Sequence, residues 1–300
     1  MMKISGFTMV RNAEKYYFPI KESIASILPL VDEFIVALDE GNDNTRAIIE
    51  SLQSPKVKIY SRVWSETSFV EGKIFADETT FALQQCTGDW CFYLHADEVI
   101  HEQDLPAIQR ACAMYLHDKN VDGLLFKYYH FWGDYKHYLP FHGWYKNEIR
   151  IVRNSAGIVS YKDAQSFRKS TGEKLNVKAV DAHVYHYGWV RPPETMQSKK
   201  KEQDSMHHGT DGAAAMHAKR LANFNYGNMA KVPLFAASHP KVMQEFMRKM
   251  YWQEALEVSN PILNRPKMKH EKWKYRMLSF IENTLLGGKE LFGYSNWNKL

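Results

Sequence analysis

Apolar and polar positions follow two periods along the first 190 residues. Lys3 to Val10 (KISGFTMV) is a short apolar run that suits a strand, closed by Arg11-Asn12-Ala13. Pro19 stands where it can open a helix, and Ile20, Ile24, Ile27 and Leu28 then recur at helical spacing up to Pro29. Glu33 to Leu38 (EFIVAL) is apolar almost without a break, as in a strand buried on both faces of a parallel sheet. Turn formers fill Asp39 to Thr45, where Asp43 or Asn44 can cap a helix running to Leu52. Val57 to Tyr60 is a third strand, a helix is predicted over about 72–85, and Trp90 to Leu94 (WCFYL) is a fourth strand after Gly88. This order predicts an α/β fold: a mostly parallel sheet flanked by helices.

After a loop from His95 to His101 the pattern predicts a helix from Gln103 to Asp118. Strands follow over Val121 to Phe131, Glu148 to Val152 and Val184 to Val190. Beyond Trp189–Pro193 only helical spacing remains: Glu194 to His207, Ala213 to Asn223, Lys241 to Glu257 and His270 to Leu286. The expected organisation is therefore an α/β catalytic domain over 1–190 and a basic helical C-terminal region over 191–300.

Charge sharpens that division. Residues 1–186 carry 21 Lys and Arg against 24 Asp and Glu, whereas 187–300 carry 18 against 10. A basic tail suits nucleic acid, an anionic membrane surface or a phosphorylated substrate, or is simply a solvated helical face. With 24% charged and 45% hydrophobic residues, the chain is neither disordered nor collagen-like nor a coiled coil. Three cysteines (Cys86, Cys91 and Cys112) without metal-like spacing fit a reducing compartment. No apolar run has signal-peptide or membrane-spanning length. A cytoplasmic protein is expected, at most peripheral at the inner face of the membrane.

In open α/β sheets ligands bind beyond the carboxyl ends of the strands. Those ends carry Arg11 and Asn12, then Asp39 and Asp43, then His95, Asp97 and Glu98. A strand opening into adjacent carboxylates offers oxygen ligands to Mg2+ or Mn2+; the plainer reading is a surface turn in which Asp97 caps the next helix.

The segments MVRNA, DEGNDNT and GDWCFYLHADE, in this order, resemble the family 2 glycosyltransferases of GT-A fold, a Rossmann-like architecture. The resemblance covers about residues 3–190. It implies an inverting transfer of a sugar from a nucleotide-diphosphate sugar to an acceptor hydroxyl, with Mn2+ or Mg2+. It implies that Arg11, Asn12, Asp39, Asp43, His95 and Asp97 surround the nucleotide-sugar, and that Asp97 and Glu98 bind metal together with a late histidine, His186. His95 departs from the family pattern, which usually has Asp there.

An inverting transfer needs one carboxylate base, because the acceptor hydroxyl loses its proton as it attacks. Asp163 (in SYKDAQSFR) is favoured over Glu148 (in WYKNEIRIVRN), with Asp181 also in range; for each the competing reading is a surface carboxylate paired with an arginine. One of Lys199, Lys200 and Lys201 could reach the diphosphate. The aromatic stretch Tyr128 to Tyr145 offers Trp132, Tyr138 and Trp144 as an acceptor wall for a saccharide or lipid-linked saccharide, or else packs a joint. The basic tail, with Trp252, Trp273, Tyr275 and Arg276, could lie on an anionic bilayer or cap the catalytic domain. A nucleic-acid partner is not expected. Two alternatives remain at this level. One is a nucleotidyltransferase-like enzyme, against which counts the lack of glycine in MVRNAEKYY. The other is an inactive sugar-nucleotide-binding scaffold, which His95 keeps open.

Overall fold

The apolar runs become strands of one sheet. The computed structural model describes residues 2–64, 72–155, 157–217, 222–256, 263, 265–287, 290–293 and 295–300. β1 (Ile4–Arg11), β2 (Glu33–Asp39), β3 (Val57–Arg62) and β4 (Trp90–Tyr93) run parallel, with β1 between β4 and β2 and β3 outside β2. β2 shows why the sequence reads as it does. Phe34, Val36 and Leu38 pack on one face with Ile20, Ile24 and Ile27 of α1 (Ile20–Ile27). Ile35 and Ala37 pack on the other with Ala82 and Leu83 of α3 (Lys73–Gln84). Both faces of a pleated strand are covered, so both alternate positions must be apolar. The short helix α2 (Thr45–Glu50) follows β2.

Past β4 the chain forms β5 (Glu98–Ile100), α4 (Leu105–Met114), β6 (Gly123–Trp132) and β7 (Asn147–Arg153). β7 lies antiparallel between β4 and β6. A two-stranded hairpin, β8 (Ile158–Tyr161) and β9 (Ser166–Lys169), stands apart. β10 (Leu175–Trp189) pairs parallel with β6 and antiparallel with β5, and β11 (Trp297–Lys299) closes its outer edge. Among the described residues this makes a nine-stranded, mostly parallel sheet, ordered β11-β10-β6-β7-β4-β1-β2-β3 with β5 beside β10.

Four strands escape the sequence reading. β5 and β11 have three residues each, and β8 and β9 four, too short for a readable alternation. β10 is 15 residues long, although the sequence pattern predicts a strand only from Val184 onward. Lys178 and Asp181 break the apolar pattern where its register shifts between Ala179 and His183.

The C-terminal region is helical but less regular than expected. α5 (Pro193–His217) joins the first two expected helices, with Gly209 in a left-handed conformation (φ 74°) between them. α6 (Gln244–Arg248) is five residues long, and α7 (Trp273–Phe280) ends in a π turn over Ile281–Leu285. The end of the expected helix at Glu257 and that of the one at Asn223, which passes through 218–221, meet residues outside those described. The region packs by aromatic rings. Phe131, Trp132, Tyr185 and Tyr187 of β6 and β10 join Phe224, Tyr226, Met243, Trp252 and Leu256 in one buried cluster.

Candidate active site

The carboxyl ends of β1 and β4, the β8–β9 turn and the inner face of α5 enclose two adjoining cavities, of about 160 Å³ and 600 Å³. Arg11, Trp64 and Phe75 line the smaller one. Trp144, Tyr145, His186 and Trp189 line the larger. His95, Asp97, Asp163, Lys199 and Gln203 border both. Asp97 and Asp163 are thus the carboxylates at the junction.

Asp97 is buried among cations. Its Oδ2 lies 3.4 Å from Lys199 Nζ and 3.6 Å from Arg191 Nη2, and its Oδ1 lies 3.7 Å from His186 Nε2. Burial works against the charged carboxylate, but Lys199 and Arg191 beside it outweigh it and hold the carboxyl well below its usual range. Burial, with Arg191 adding to it, pulls the Lys199 ammonium down to about 7. Arg191 is fully buried and donates from Nη1 to the Tyr16 carbonyl at 2.8 Å. Its Nη2 has no hydrogen-bond partner among the described residues.

His186 is oriented through a second histidine. His130 Nε2 lies 2.7 Å from the carbonyl of Tyr145, which can only accept, so this nitrogen carries the proton. His130 Nδ1 therefore accepts from His186 Nδ1 at 2.8 Å. Burial keeps both rings neutral, lowering His130 to about 3 and His186 to about 4. His186 Nε2 is left as a lone pair facing a carboxylate oxygen, an arrangement that asks for a cation between them. Gly188 belongs to the same cradle. A Cβ there would fall against His186 Nε2 and 3.0 Å from Asp97 Oδ2. The residues thus fit a divalent ion held by Asp97 and His186. Among the described residues no group of three or more His, Cys, Asp or Glu side chains is arranged to hold a metal. The remaining ligands would come from substrate oxygens and water, as is usual for Mg2+.

Glu98 does not fit the metal role expected for it. Arg150 holds it in a fork at 2.8 Å to each oxygen, Tyr128 Oη donates to Oε1 at 2.8 Å, and the His95 amide donates to Oε2 at 3.1 Å. Burial opposes its charge, yet Arg150 prevails and lowers the carboxyl to about 2. All its acceptor capacity is turned into the sheet. Glu148, the other expected base, lines neither cavity, so its placement speaks against that role here; burial raises its carboxyl to about 7.

Asp163 reaches the cleft from the β8–β9 turn, between Lys162 (φ 56°) and Ala164 (φ 60°). Two non-glycine residues in the left-handed region around one exposed carboxylate is a costly local geometry that something must hold in place. His95 supplies part of that hold: its Nε2 lies 3.2 Å from the Ala164 carbonyl. The residue that departs from the family pattern thus ties the end of β4 to the Asp163 turn.

The other expected nucleotide contacts divide. Arg11 lines the smaller cavity. Asp39 accepts from the backbone amides of Gly41 (3.0 Å) and Trp64 (2.8 Å), so it builds the rim from behind. Asn12 accepts from Asn42 N, and Asp43 accepts from Lys15 N and Thr45 N; both brace the loops and line neither cavity. Of the expected acceptor residues, Trp144 lines the larger cavity. Trp132 is fully buried and donates to the Tyr226 carbonyl, and Tyr138 packs edge-on against Tyr129 and Phe235, so both belong to the core joint. Trp64, Trp189 and Arg191 are site residues that sequence reasoning missed, since no spacing ties them to the rim.

A mostly parallel sheet with carboxylates and a cleft at the strand ends is the Rossmann-like arrangement in which open α/β proteins bind nucleotides. The chain matches the family model for glycosyl transferase family 2 over residues 9–219, and it belongs to that family. Its activity class is glycosyl transfer from a nucleotide-sugar donor. Among solved structures it is similar to S. aureus TarS 1–349 (15% identity, 73% of each chain, TM-score 0.38). It is also similar to the same fragment in complex with UDP-GlcNAc (15% identity, 72% of this chain and 73% of that one, TM-score 0.39). A third is glucosyl-3-phosphoglycerate synthase from Mycobacterium tuberculosis with Mn2+, UDP and glucosyl-3-phosphoglycerate (21% identity, 43% of this chain and 44% of that one, TM-score 0.30). No curated protein matches the chain.

Proposed function

We propose that this protein is an inverting glycosyltransferase in which Asp163 is the general base. The smaller cavity takes the nucleotide end of the donor, and the larger takes the acceptor. The observation that carries this reading is that Asp97 and Asp163 both border both cavities. The sugar carbon sits at that junction. The acceptor oxygen forms its bond to the anomeric carbon from one face as the bond to the diphosphate oxygen breaks on the other. The hydroxyl proton passes to Asp163, and the nucleoside diphosphate leaves with the electron pair. The transition state is oxocarbenium-like, so the negative charge that must be met develops on the leaving diphosphate. Arg191 Nη2 is the permanently charged group nearest Asp97 and is placed to meet it, with Lys199 Nζ beside it. Mn2+ or Mg2+ held by Asp97 and His186 would add Lewis-acid charge at the same oxygens.

Asp163→Asn tests the assignment. It should lower kcat by about 10²–10⁴-fold while donor affinity changes little, because the amide keeps shape and hydrogen bonding but accepts no proton. Turnover within a few-fold of the parent would remove Asp163 from the role.

Peripheral contact with an anionic lipid surface is a further part of the proposal. It rests on Trp273, Met277 and Phe280, which lie exposed along one side of α7 beside Lys272 and Lys274. No described helix is long and apolar enough to cross a membrane.

A further inference from the structure

The larger cavity has more positive charge than catalysis accounts for. Five lysines line it: Lys199, Lys200, Lys267, Lys269 and Lys272. Its other charges are mostly spent. Arg150 is matched by Glu98, and Asp97 is matched by Lys199 and Arg191. Among the described residues Asp163 remains as the carboxylate that borders this cavity with Lys267, Lys269 and Lys272. Among the described residues the smaller cavity, by contrast, has Arg11 and Lys199 as its cationic lining. The surplus therefore lies on the acceptor side.

Three of these lysines are displayed by a built segment. Along Lys267-Met268-Lys269-His270-Glu271-Lys272, the residues between them are anchored inward. Met268 packs on the aromatic cluster, and His270 is buried against Trp132 and Phe141. Glu271 accepts from Arg265 at 2.7 and 2.9 Å and from the Met268 amide at 2.6 Å. Lys267, Lys269 and Lys272 are left at the cavity mouth, with Lys269 Nζ 3.2 Å from the Gly143 carbonyl. None of the three has a carboxylate within ion-pair distance among the described residues. Like charges gathered without counter-ions repel one another, and a walled cleft focuses their field. Such a cluster is stabilised when an anion enters, and lysine is a point-charge partner for phosphate.

We propose that the acceptor carries phosphate or phosphodiester groups next to the hydroxyl that receives the sugar, and that Lys267, Lys269 and Lys272 bind them. This rests on the glycosyltransferase reading given above and names the substrate class of the larger cavity. The same chemistry is presented by a free phosphorylated glycan and by a saccharide on a polyprenyl phosphate.

Binding of a simple probe tests it without the natural acceptor. Glucose 6-phosphate and glucose are titrated into the full chain, with UDP and GDP in excess to fill the nucleotide cleft. Glucose 6-phosphate should bind more tightly, and its advantage should shrink as salt is raised. Replacing Lys267, Lys269 and Lys272 together by Gln should weaken it about tenfold, while the triple Arg replacement retains it. Equal binding of the two sugars, or a triple Gln variant that binds glucose 6-phosphate as the parent does, overturns the proposal. Acceptor-free hydrolysis of a nucleotide-sugar by the unmodified protein reads the glycosyltransferase assignment separately. Its loss would overturn that assignment, whereas its presence with no preference for phosphate overturns only the acceptor class. Transfer assays then separate the sources: a free phosphoglycan as acceptor supports one, and the polyprenyl-linked form in neutral phosphatidylcholine vesicles the other. Transfer to neutral glycans alone contradicts both.

Discussion

The two halves of the molecule are held together by different chemistry. The β1–β4 half is regular: alternate strand positions, aliphatic along β2 apart from Phe34 and mostly aromatic in β4 (Trp90, Phe92 and Tyr93), meet helices on both faces. Beyond α5 the C-terminal half has short helices, and its grip on the sheet is aromatic and directional. Trp132 Nε1 donates to Tyr226 O, Trp252 Nε1 to Gly133 O, and Tyr226 Oη to Arg191 O. Rings that bury area and also carry a donor fix orientation as well as adhesion. That orientation matters because Arg191, Lys199 and the lysines of 267–272 are all presented from beyond residue 190. The boundary expected there runs through the cleft wall. The basic region is therefore the far wall of the site.

Trp252→Ala is the hardest blow to that aromatic grip. The indole is 3% exposed, meets Tyr17 edge-on at 5.1 Å and spans to Gly133. Removing it should cost about 3–5 kcal/mol. Urea unfolding followed by far- and near-ultraviolet circular dichroism should show one shifted transition with both signals coincident. A second, earlier transition that leaves the β1–β4 half at its original midpoint would show the C-terminal half to be a separable cap.

What the sequence made legible follows the same division. β1, β2 and β4 announce themselves because burial on both faces leaves a continuous apolar run, and the residues just past them, Arg11, His95 and Asp97, do border the cleft. Asp163 was visible as a candidate by its order in the chain. Glu98 was misread for a physical reason. A carboxylate beside Asp97 looks like a second ligand until its partner Arg150, 52 residues on, is brought against it. Trp132 was misread likewise, since an aromatic-rich stretch does not reveal which rings face a cavity and which face a core. The C-terminal helices were overestimated because helical spacing of apolar residues also arises where short turns pack rings against a sheet. Lys267 to Lys272 gave no signal beyond net charge. Their meaning comes from Met268, His270 and Glu271 turning inward between them.

A second contrast lies on the outer side of the C-terminal half. Trp273, Met277 and Phe280 are 74%, 47% and 63% exposed. At spacings of four and three they form one stripe on α7. The full chain should sediment with phosphatidylserine vesicles at low salt. Trp273→Ser with Phe280→Ser should reduce the bound fraction about tenfold. Absence of the unmodified chain from the vesicle pellet would remove the membrane contact and leave the stripe as an ordinary exposed surface.

The smallest expected effect concerns pH and again separates the halves. His270 sits under the lysine-bearing segment at 2% exposure, against Trp132 and Phe141, with Glu271, Arg265 and Arg276 as its charged neighbours. Burial lowers it to about 4; Glu271 favours its charge, and the two arginines oppose it. The unfolded chain takes up this proton near pH 6.5, the folded one only near 4. Between those values the unfolded state holds more protons, so stability falls as pH falls through that window and is fully present above it. At pH 5 the loss from this one group is about 1–2 kcal/mol. Glu282 (with His142 and Lys146) and Glu271 are held below their usual range and lose their contribution at lower pH, whereas His130 and His186, buried neutral in the cleft, share the window of His270, so the cuts beside His270 and its own variant isolate its part. Limited proteolysis at pH 7.5 and 5 should show cleavage after Lys267 and Lys269 rising at the lower pH. His270→Phe, which keeps the ring stack without the proton, should flatten that rise. An unchanged pH response in His270→Phe would assign the sensitivity elsewhere and detach it from the segment that carries the acceptor lysines.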